Sequence, residues 1–290
     1  MHQVERVSEH VWRVPVPVAT LPPYDHTNAY VVADGGVALV VDPGSPLAAG
    51  TDAIAQALAE AGAGLVKGIV VTHGHPDHWE GLEYALRRFD GPAVYVHAYE
   101  AERVAVGARK VRVTADVVVT VGDLAVELVH TPGHSPGHLT VVVRQPSGLP
   151  EAALAGDLVT ASGSVWVGKP EGDVAAYLAS LERLIAIAPG ALGPGHGPLV
   201  PDPVGRLREQ RAHRLEREQQ VLAARQAGPR DPDGLTTTIY PGADGQLRDL
   251  ARLSVLAHLD KLETEGRVRR LGEGDEAPFA LAQRALDEAG

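Results

Sequence analysis

Thr72-His73-Gly74-His75-Pro76-Asp77-His78 sets three imidazoles and a carboxylate within six residues. The stretch follows Gly68-Ile69-Val70-Val71, a β-branched run that reads as a buried strand. Neutral imidazole and carboxylate are the groups that a borderline ion such as zinc takes. A polar surface turn with an incidental histidine is the ordinary explanation for one His. It does not extend well to three His and an Asp packed this tightly.

Further along, single ligand-type residues recur in Gly/Pro-rich turns after apolar runs. Thr131-Pro132-Gly133-His134 follows residues 124–129, Gly156-Asp157 follows Ala152-Ala153-Leu154, and Gly193-Pro194-Gly195-His196-Gly197-Pro198 follows residues 188–192. Open α/β sheets collect their sites at such strand ends. Upstream, Val40-Val41-Asp42-Pro43-Gly44 adds an acidic residue in the same kind of position. Taken in order over residues 10–200, these five motifs resemble the metallo-β-lactamase superfamily. That resemblance implies a four-layer αββα sandwich, two mixed sheets face to face with helices outside. It also implies two divalent metal ions, zinc first with iron or manganese as alternatives. His73, His75 and His134 would hold one, Asp77, His78 and His196 the second, and Asp157 would bridge them. A hydroxide held between two ions about 3.5–4 Å apart is the nucleophile of such a site, so no Ser or Cys is needed. Asp77 is the candidate to orient that hydroxide. Asp42 is the candidate carboxylate behind a ligand imidazole, fixing its tautomer, with a turn-forming Asp before Pro43-Gly44 as the alternative.

Composition limits the rest. The chain has 290 residues, 44% of them hydrophobic, few aromatics and no cysteine. A core must therefore come from Val, Leu and Ala, and any metal site uses N and O donors alone. Formal net charge is −11, mostly carried by the first two hundred residues. A generic nucleic-acid binder needs a basic footprint instead. Residues 1–12 contain no apolar core of a signal peptide, and no apolar run approaches the length of a membrane span. A cytoplasmic protein without membrane contact is the expectation.

The spacing predicts a proline-broken edge strand over residues 11–18 and a hairpin of 29–33 with 37–41 around Asp34-Gly35-Gly36. Helices are expected over 46–61, 79–89 and 173–187, the last with Asp173 as N-cap. Further strands fall at 93–96, 117–121, 125–129 and 139–143, with 103–114 read as loop. The Pro-rich segment 198–203 suggests a boundary between a catalytic domain, 1–203, and a helical module, 204–290. There a charged helix over 206–226 carries Leu207, Leu215, Val221 and Leu222 on one stripe. A second helix over 250–261, a stop at Gly266 and two short strands around Gly272-Glu273-Gly274-Asp275 outline a winged helix. Residues 254–263 before Gly266-Arg267-Val268 resemble the C-terminal winged helix of the β-lactamase-like protein 2 group, whose mitochondrial member is a zinc endoribonuclease.

The module lacks a basic stripe, so sequence-specific duplex DNA binding is not expected. Walling the metal cleft, or a subunit contact giving a homodimer, suits it better. Two functions compete: a phosphodiesterase or endoribonuclease acting on single-stranded RNA, which the resemblance favours, and a thioester or lactone hydrolase of the glyoxalase II/lactonase type, which the acidity favours. A metal-stabilised regulator and a single-iron oxygenase stand further back. Substrate choice is assigned to loops at 22–27, 107–112 and 163–170. Asn28 could cap the hairpin or edge the site, and His138 could donate to substrate or serve structure. His26 and His97 stay open, while His2, His10, His213 and His258 are read as solvated or packed.

Overall fold

The structure, a computed structural model, describes residues 3–20, 22–224 and 228–282; His2 and Gln226, the expected end of the charged helix, lie outside them. In the first half, strands β1 (Glu5–Arg6), β2 (Val11–Pro17), β3 (His26–Asp34), β4 (Val37–Val41), β5 (Leu65–Val70), β6 (Ala93–His97) and β7 (Lys110–Val113) form one sheet in sequence order. Helices α1 (Ala48–Glu60), α2 (Pro76–Trp79) and α3 (Leu82–Arg88) lie within its parallel crossovers, β4 to β5 and β5 to β6. Next come β8 (Val117–Val121), β9 (Leu124–His130), β10 (Leu139–Arg144), β11 (Pro150–Gly156), α4 (Val174–Ile187) and β12 (Ala191–Pro194). These strands make a second sheet in the order β12-β11-β10-β9-β8.

Period-two alternation explains why the strands are apolar almost throughout: both faces are covered. On β3, Ala29, Val31 and Ala33 pack outward with Ile54, Leu58 and Leu82 of the helices. Tyr30 and Val32 point the other way, against Leu128, Leu139 and Val141 of the second sheet. That sheet's outer face, with Val142 and Ala153, buries Tyr177, Leu181 and Leu184 of α4. The layers are thus helix, sheet, sheet, helix, as expected. Pro15 and Pro17 lie past β1, which pairs only with Trp12 and Arg13, so their missing N–H groups interrupt no ladder.

Two expectations need correction. Residues 103–114 are not all loop, since Lys110–Val113 pairs in parallel with β6. Its Lys-Val-Arg-Val sequence does alternate, but four residues are too few to stand out from the surrounding loop. The helix read over 79–89 begins at Pro76 and breaks before Leu82. The break falls at Gly81, where a Cβ would lie 1.9 Å from the Pro43 carbonyl oxygen. The loop after β4 is pressed against the helix there, and a side chain cannot fit.

The C-terminal part consists of α5 (Pro203–Ala223), α6 (Pro232–Ile239), α7 (Gly245–Thr264) and a hairpin of β13 (Val268–Arg270) with β14 (Phe279–Leu281), a winged helix. Helix α5 departs from the predicted stripe. Leu207 packs with α4 and Val221 with α7 and the hairpin, while Leu215 joins neither group. Between them the buried positions are Gln210, Arg214 and Glu218. The arginines of the wing are largely neutralised: Arg267 pairs with Glu218 at 2.6 Å, and Arg270 with Asp260 at 3.0 Å.

His258 of α7 is fully buried, and burial with Arg214 and Lys261 nearby pushes its pKa down to about 3. Its imidazole therefore stays neutral in the folded protein below pH 6.5, where the unfolded chain takes up a proton. Stability is then fully present above about pH 6.5 and falls as pH drops toward 3, by about 1.4 kcal/mol per unit. Urea unfolding at pH 7 and pH 5 should show His258→Leu less acid-sensitive than the parent; equal slopes would remove His258 from the account.

Candidate metal centre

All seven residues predicted as ligands meet at one end of the two sheets. His73, His75 and Asp77 with His78 follow β5, His134 follows β9, Asp157 follows β11 and His196 follows β12. One ligand atom from each of His73, His75, His134 and Asp157 lies within 4.8 Å of the others, and Asp77, His78 and His196 form a second such set. Asp157 touches both, its oxygens lying 3.4 Å from His78 Nε2, 3.3 Å from His196 Nε2 and 3.8 Å from His134 Nε2. The approach is close: a Cβ at Gly195 would sit 2.2 Å from Asp157 Oδ1.

The outer ring nitrogens show which inner ones carry lone pairs. His134 Nδ1 donates to the Trp166 carbonyl at 2.8 Å, and His196 Nδ1 to the His26 carbonyl at 2.9 Å. His78 Nδ1 donates to Asp42 Oδ2 at 2.8 Å. Thr72 Oγ1 gives its proton to Asp42 Oδ2, so His73 Nδ1 donates to it at 3.0 Å. In all four rings Nε2 is thus the nitrogen turned inward, the one that would offer its lone pair to a cation. His75 is reversed: its Nδ1 lies 2.9 Å from His73 Nε2 and 3.1 Å from His134 Nε2, while its Nε2 faces Glu171. His78 Nε2 is buried without a hydrogen-bond partner. Converging nitrogen lone pairs beside two carboxylates repel one another unless a cation lies among them, so the donor set fits divalent metal.

The charges follow the same logic. Burial and the neighbouring His78 and His75 hold His73 well below the ordinary imidazole pKa, and burial takes His134 down to about 4. His78 is raised well above it, because Asp157 and Asp42 outweigh burial. His196 and His78 hold the Asp157 carboxyl well below the carboxylate range against the opposing effect of burial.

Asp42 accepts from the Thr72 amide at 2.8 Å as well as from His78, at a left-handed φ of 48°. Asn28 donates to the Pro194 and Gly197 carbonyls, clamping the loop that carries His196. His138 is buried beneath Gly156, bonded to Thr131, and does not line the cleft. His97 stacks on His130 at 4.1 Å, where burial and that ring take it to about 4. His10 is bound to Glu151, and His213 is partly buried. Sequence reasoning missed Thr20, which donates to Asp77 Oδ2 at 2.7 Å, as well as Trp166 and Glu171. Thr20 and Glu171 sit in irregular loops with no periodic or motif signal.

A cavity of about 1240 Å³ opens over the cluster. Its walls include Tyr24, Val159 and Trp166 from the sandwich and Tyr240, Leu247 and Leu250 from the C-terminal module. The predicted loops at 22–27 and 163–170 contribute to it, whereas 107–112 does not.

The sequence profile of the metallo-beta-lactamase superfamily matches residues 22–196, and that of the beta-lactamase associated winged helix domain matches 232–276. A beta-lactamase-like protein 2 homolog of Drosophila melanogaster is 25% identical over 273 residues, covering 86% of each chain. The atrochrysone carboxyl ACP thioesterase AgnL7 of Paecilomyces divaricatus is 28% identical, over 76% of this chain and 66% of that protein. The crystal structure of a beta-lactamase domain protein from Burkholderia ambifaria shares the fold at 23% identity with a TM-score of 0.80, over 96% of this chain and 93% of that one.

Proposed function

The chain belongs to the metallo-beta-lactamase superfamily of hydrolases, and from that premise we propose that it hydrolyses an ester or thioester with an apolar acyl part, using two divalent ions. The observation that carries the substrate reading is the cavity wall. Among the described residues lining it, Arg214 is the sole Lys or Arg, and its guanidinium is spent on the Val165 carbonyl and the Tyr177 ring. A single-stranded RNA groove needs a cationic track with aromatic platforms. Here Arg267 and Arg270 of the wing are paired internally, and beyond the metal-site residues and Arg214 the cleft is lined by apolar, aromatic and hydroxyl side chains. That reverses the order of preference drawn from the sequence, where the endoribonuclease reading came first. The ACP thioesterases among the relatives point the same way.

His73, His75 and His134 would hold one ion, Asp77, His78 and His196 the other, with Asp157 between. Zinc suits the set first, and iron or manganese would also accept N and O donors. Bound there, such ions supply Lewis acidity, ionising a water and offsetting charge on a carbonyl oxygen. The chain's own residues set the geometry. Thr20 fixes the carboxylate of Asp77, Asp42 fixes the tautomer of His78, and Trp166 and Tyr24 enclose the acyl group. A thiolate leaves without a proton, so no general acid is demanded of a thioester substrate.

Purified protein is expected to carry about two metal ions per chain and to turn over an aromatic thioester at least about tenfold faster than bis-p-nitrophenyl phosphate or single-stranded RNA, since apolar burial drives binding in such a cavity. Faster cleavage of RNA than of any thioester or lactone would return the endoribonuclease reading to first place.

A further inference from the structure

Resting on the two-ion reading above, we infer that residues 163–172 tie the C-terminal helices to the first metal position, with Glu171 as the positioning residue for His75. This segment leaves β11 and reaches α4 by running between the metal cluster and the winged helix. Toward the cluster it makes two contacts. The Trp166 carbonyl accepts from His134 Nδ1, and Glu171 Oε2 lies 3.5 Å from His75 Nε2. Toward the module it is held more densely. Arg206 of α5 donates to the Gly163 carbonyl at 2.5 Å, and Arg214 to that of Val165. On α7, the Leu250 carbonyl accepts from Trp166 Nε1 at 3.0 Å and the Leu253 carbonyl from the Lys169 amide at 3.2 Å. Asp260 pairs with Lys169 Nζ at 2.6 Å.

Glu171 is not free to swing away. Arg103 holds it by two parallel bonds of 2.5 Å, and Arg103 in turn lies 3.7 Å from Glu100, whose side chain is buried. The ionic group packs directly under the first motif, since a Cβ on Gly74 would lie 2.5 Å from Glu100 Oε2. His75 needs such a partner more than the other rings do. It alone offers Nδ1 inward, so its proton has to reside on Nε2, and its side chain is 29% exposed. Water at Nε2 would favour neither tautomer, whereas a fixed carboxylate favours the one that leaves Nδ1 free.

The second set is supported from elsewhere. Its partners are Asp42 after β4, Thr20 before β3 and the His26 carbonyl of β3. The C-terminal helices bear on the first set through this segment, while Asp42 also reaches His73 of that set through Thr72 Oγ1.

Titration of metal-free protein with Co2+, followed by visible absorption, reads the two positions separately. The parent should take up two equivalents. Glu171→Ala should weaken one equivalent by about tenfold or more while leaving the other unchanged. Glu171→Gln, which keeps an acceptor oxygen, should fall between. Trp166→Phe, which removes the indole N–H but keeps the carbonyl, should weaken the same equivalent. The thermal midpoint of metal-free Glu171→Gln should match the parent, which a merely structural role would not allow together with lost affinity. A parent binding two equivalents with Glu171→Ala indistinguishable from it, or weakened equally at both, overturns the inference alone. A parent binding fewer than two overturns the two-ion reading and this inference with it.

Discussion

Asp157→Ala is expected to empty both metal positions and to lower turnover by about 10³-fold or more, because nucleophile activation and oxyanion stabilisation fail together. It is the carboxylate that reaches both sets. Its oxygens lie within 3.8 Å of His78, His196 and His134, and its negative charge raises the pKa of His196, and with Asp42 that of His78, against burial. Without it, five imidazoles face one another with Asp77 as the remaining carboxylate, and the affinity for any cation drops sharply. His196→Ala is the control. It removes one donor from the second set and should leave about one ion per chain. Elemental analysis of both variants alongside turnover distinguishes these cases. An Asp157→Ala protein that keeps two ions and the parental rate would contradict the assignment.

How much of this was legible beforehand depended on where the information sits. The convergence of the candidate ligands was readable because five motifs place His and Asp immediately after strands, and strand ends are where this topology converges. The sheets were readable because apolar alternation covers both faces, as in Tyr30 and Val31, which enter different layers. The turn between α2 and α3 keeps helical dihedrals at Glu80 and Gly81, and what the sequence does not announce is why position 81 must be Gly: the Pro43 carbonyl, remote in sequence, leaves no room for a side chain. Helix α5 deceived in the opposite sense. Its leucines suggest an apolar stripe, yet between the buried Leu207 and Val221 it is Gln210, Arg214 and Glu218 that are buried, Arg214 satisfied by the Val165 carbonyl and Glu218 by Lys261. Such pairings carry no local signature. The cavity was hidden for the same reason: Trp166 and Leu250 lie in different domains as drawn from sequence, and only their packing makes a wall.

Substrate preference therefore cannot follow from the motif alone. The same cluster under a cationic roof would suit a phosphodiester backbone. Under Tyr24, Trp166, Tyr240 and Leu250 the proposed apolar acyl group would meet apolar contact, whereas phosphates flanking a scissile one would meet walls that offer them no free cation among the described residues.

Asp42→Asn is expected to lower affinity at the second metal position, and turnover with it, by about 10–100-fold. The substitution is clean. Asparagine tolerates a left-handed φ such as the 48° seen here, and it preserves size. What changes is acceptance. Asp42 Oδ1 accepts from the Thr72 amide, and Oδ2 accepts from both Thr72 Oγ1 and His78 Nδ1. An asparagine oxygen can serve the amide, but the NH2 group then faces Thr72 and His78 and cannot accept from either. The Thr72 hydroxyl can rotate. His78 can satisfy the new donor only by presenting a lone pair at Nδ1, which places its proton on Nε2, the nitrogen directed at the cluster. A protonated Nε2 cannot bind a cation, so the cost falls first on Asp77, His78 and His196; His134 and His75 keep their partners, and His73 keeps its own only where Thr72 Oγ1 accepts from both the new NH2 group and His73 Nδ1. Saturating metal should restore most of the rate, and the thermal midpoint of the metal-free variant should match that of the metal-free parent, which a simple loss of stability would not allow. An Asp42→Asn variant with parental metal affinity and turnover at limiting metal would reduce Asp42 to the turn residue that its Asp-Pro-Gly setting also allows.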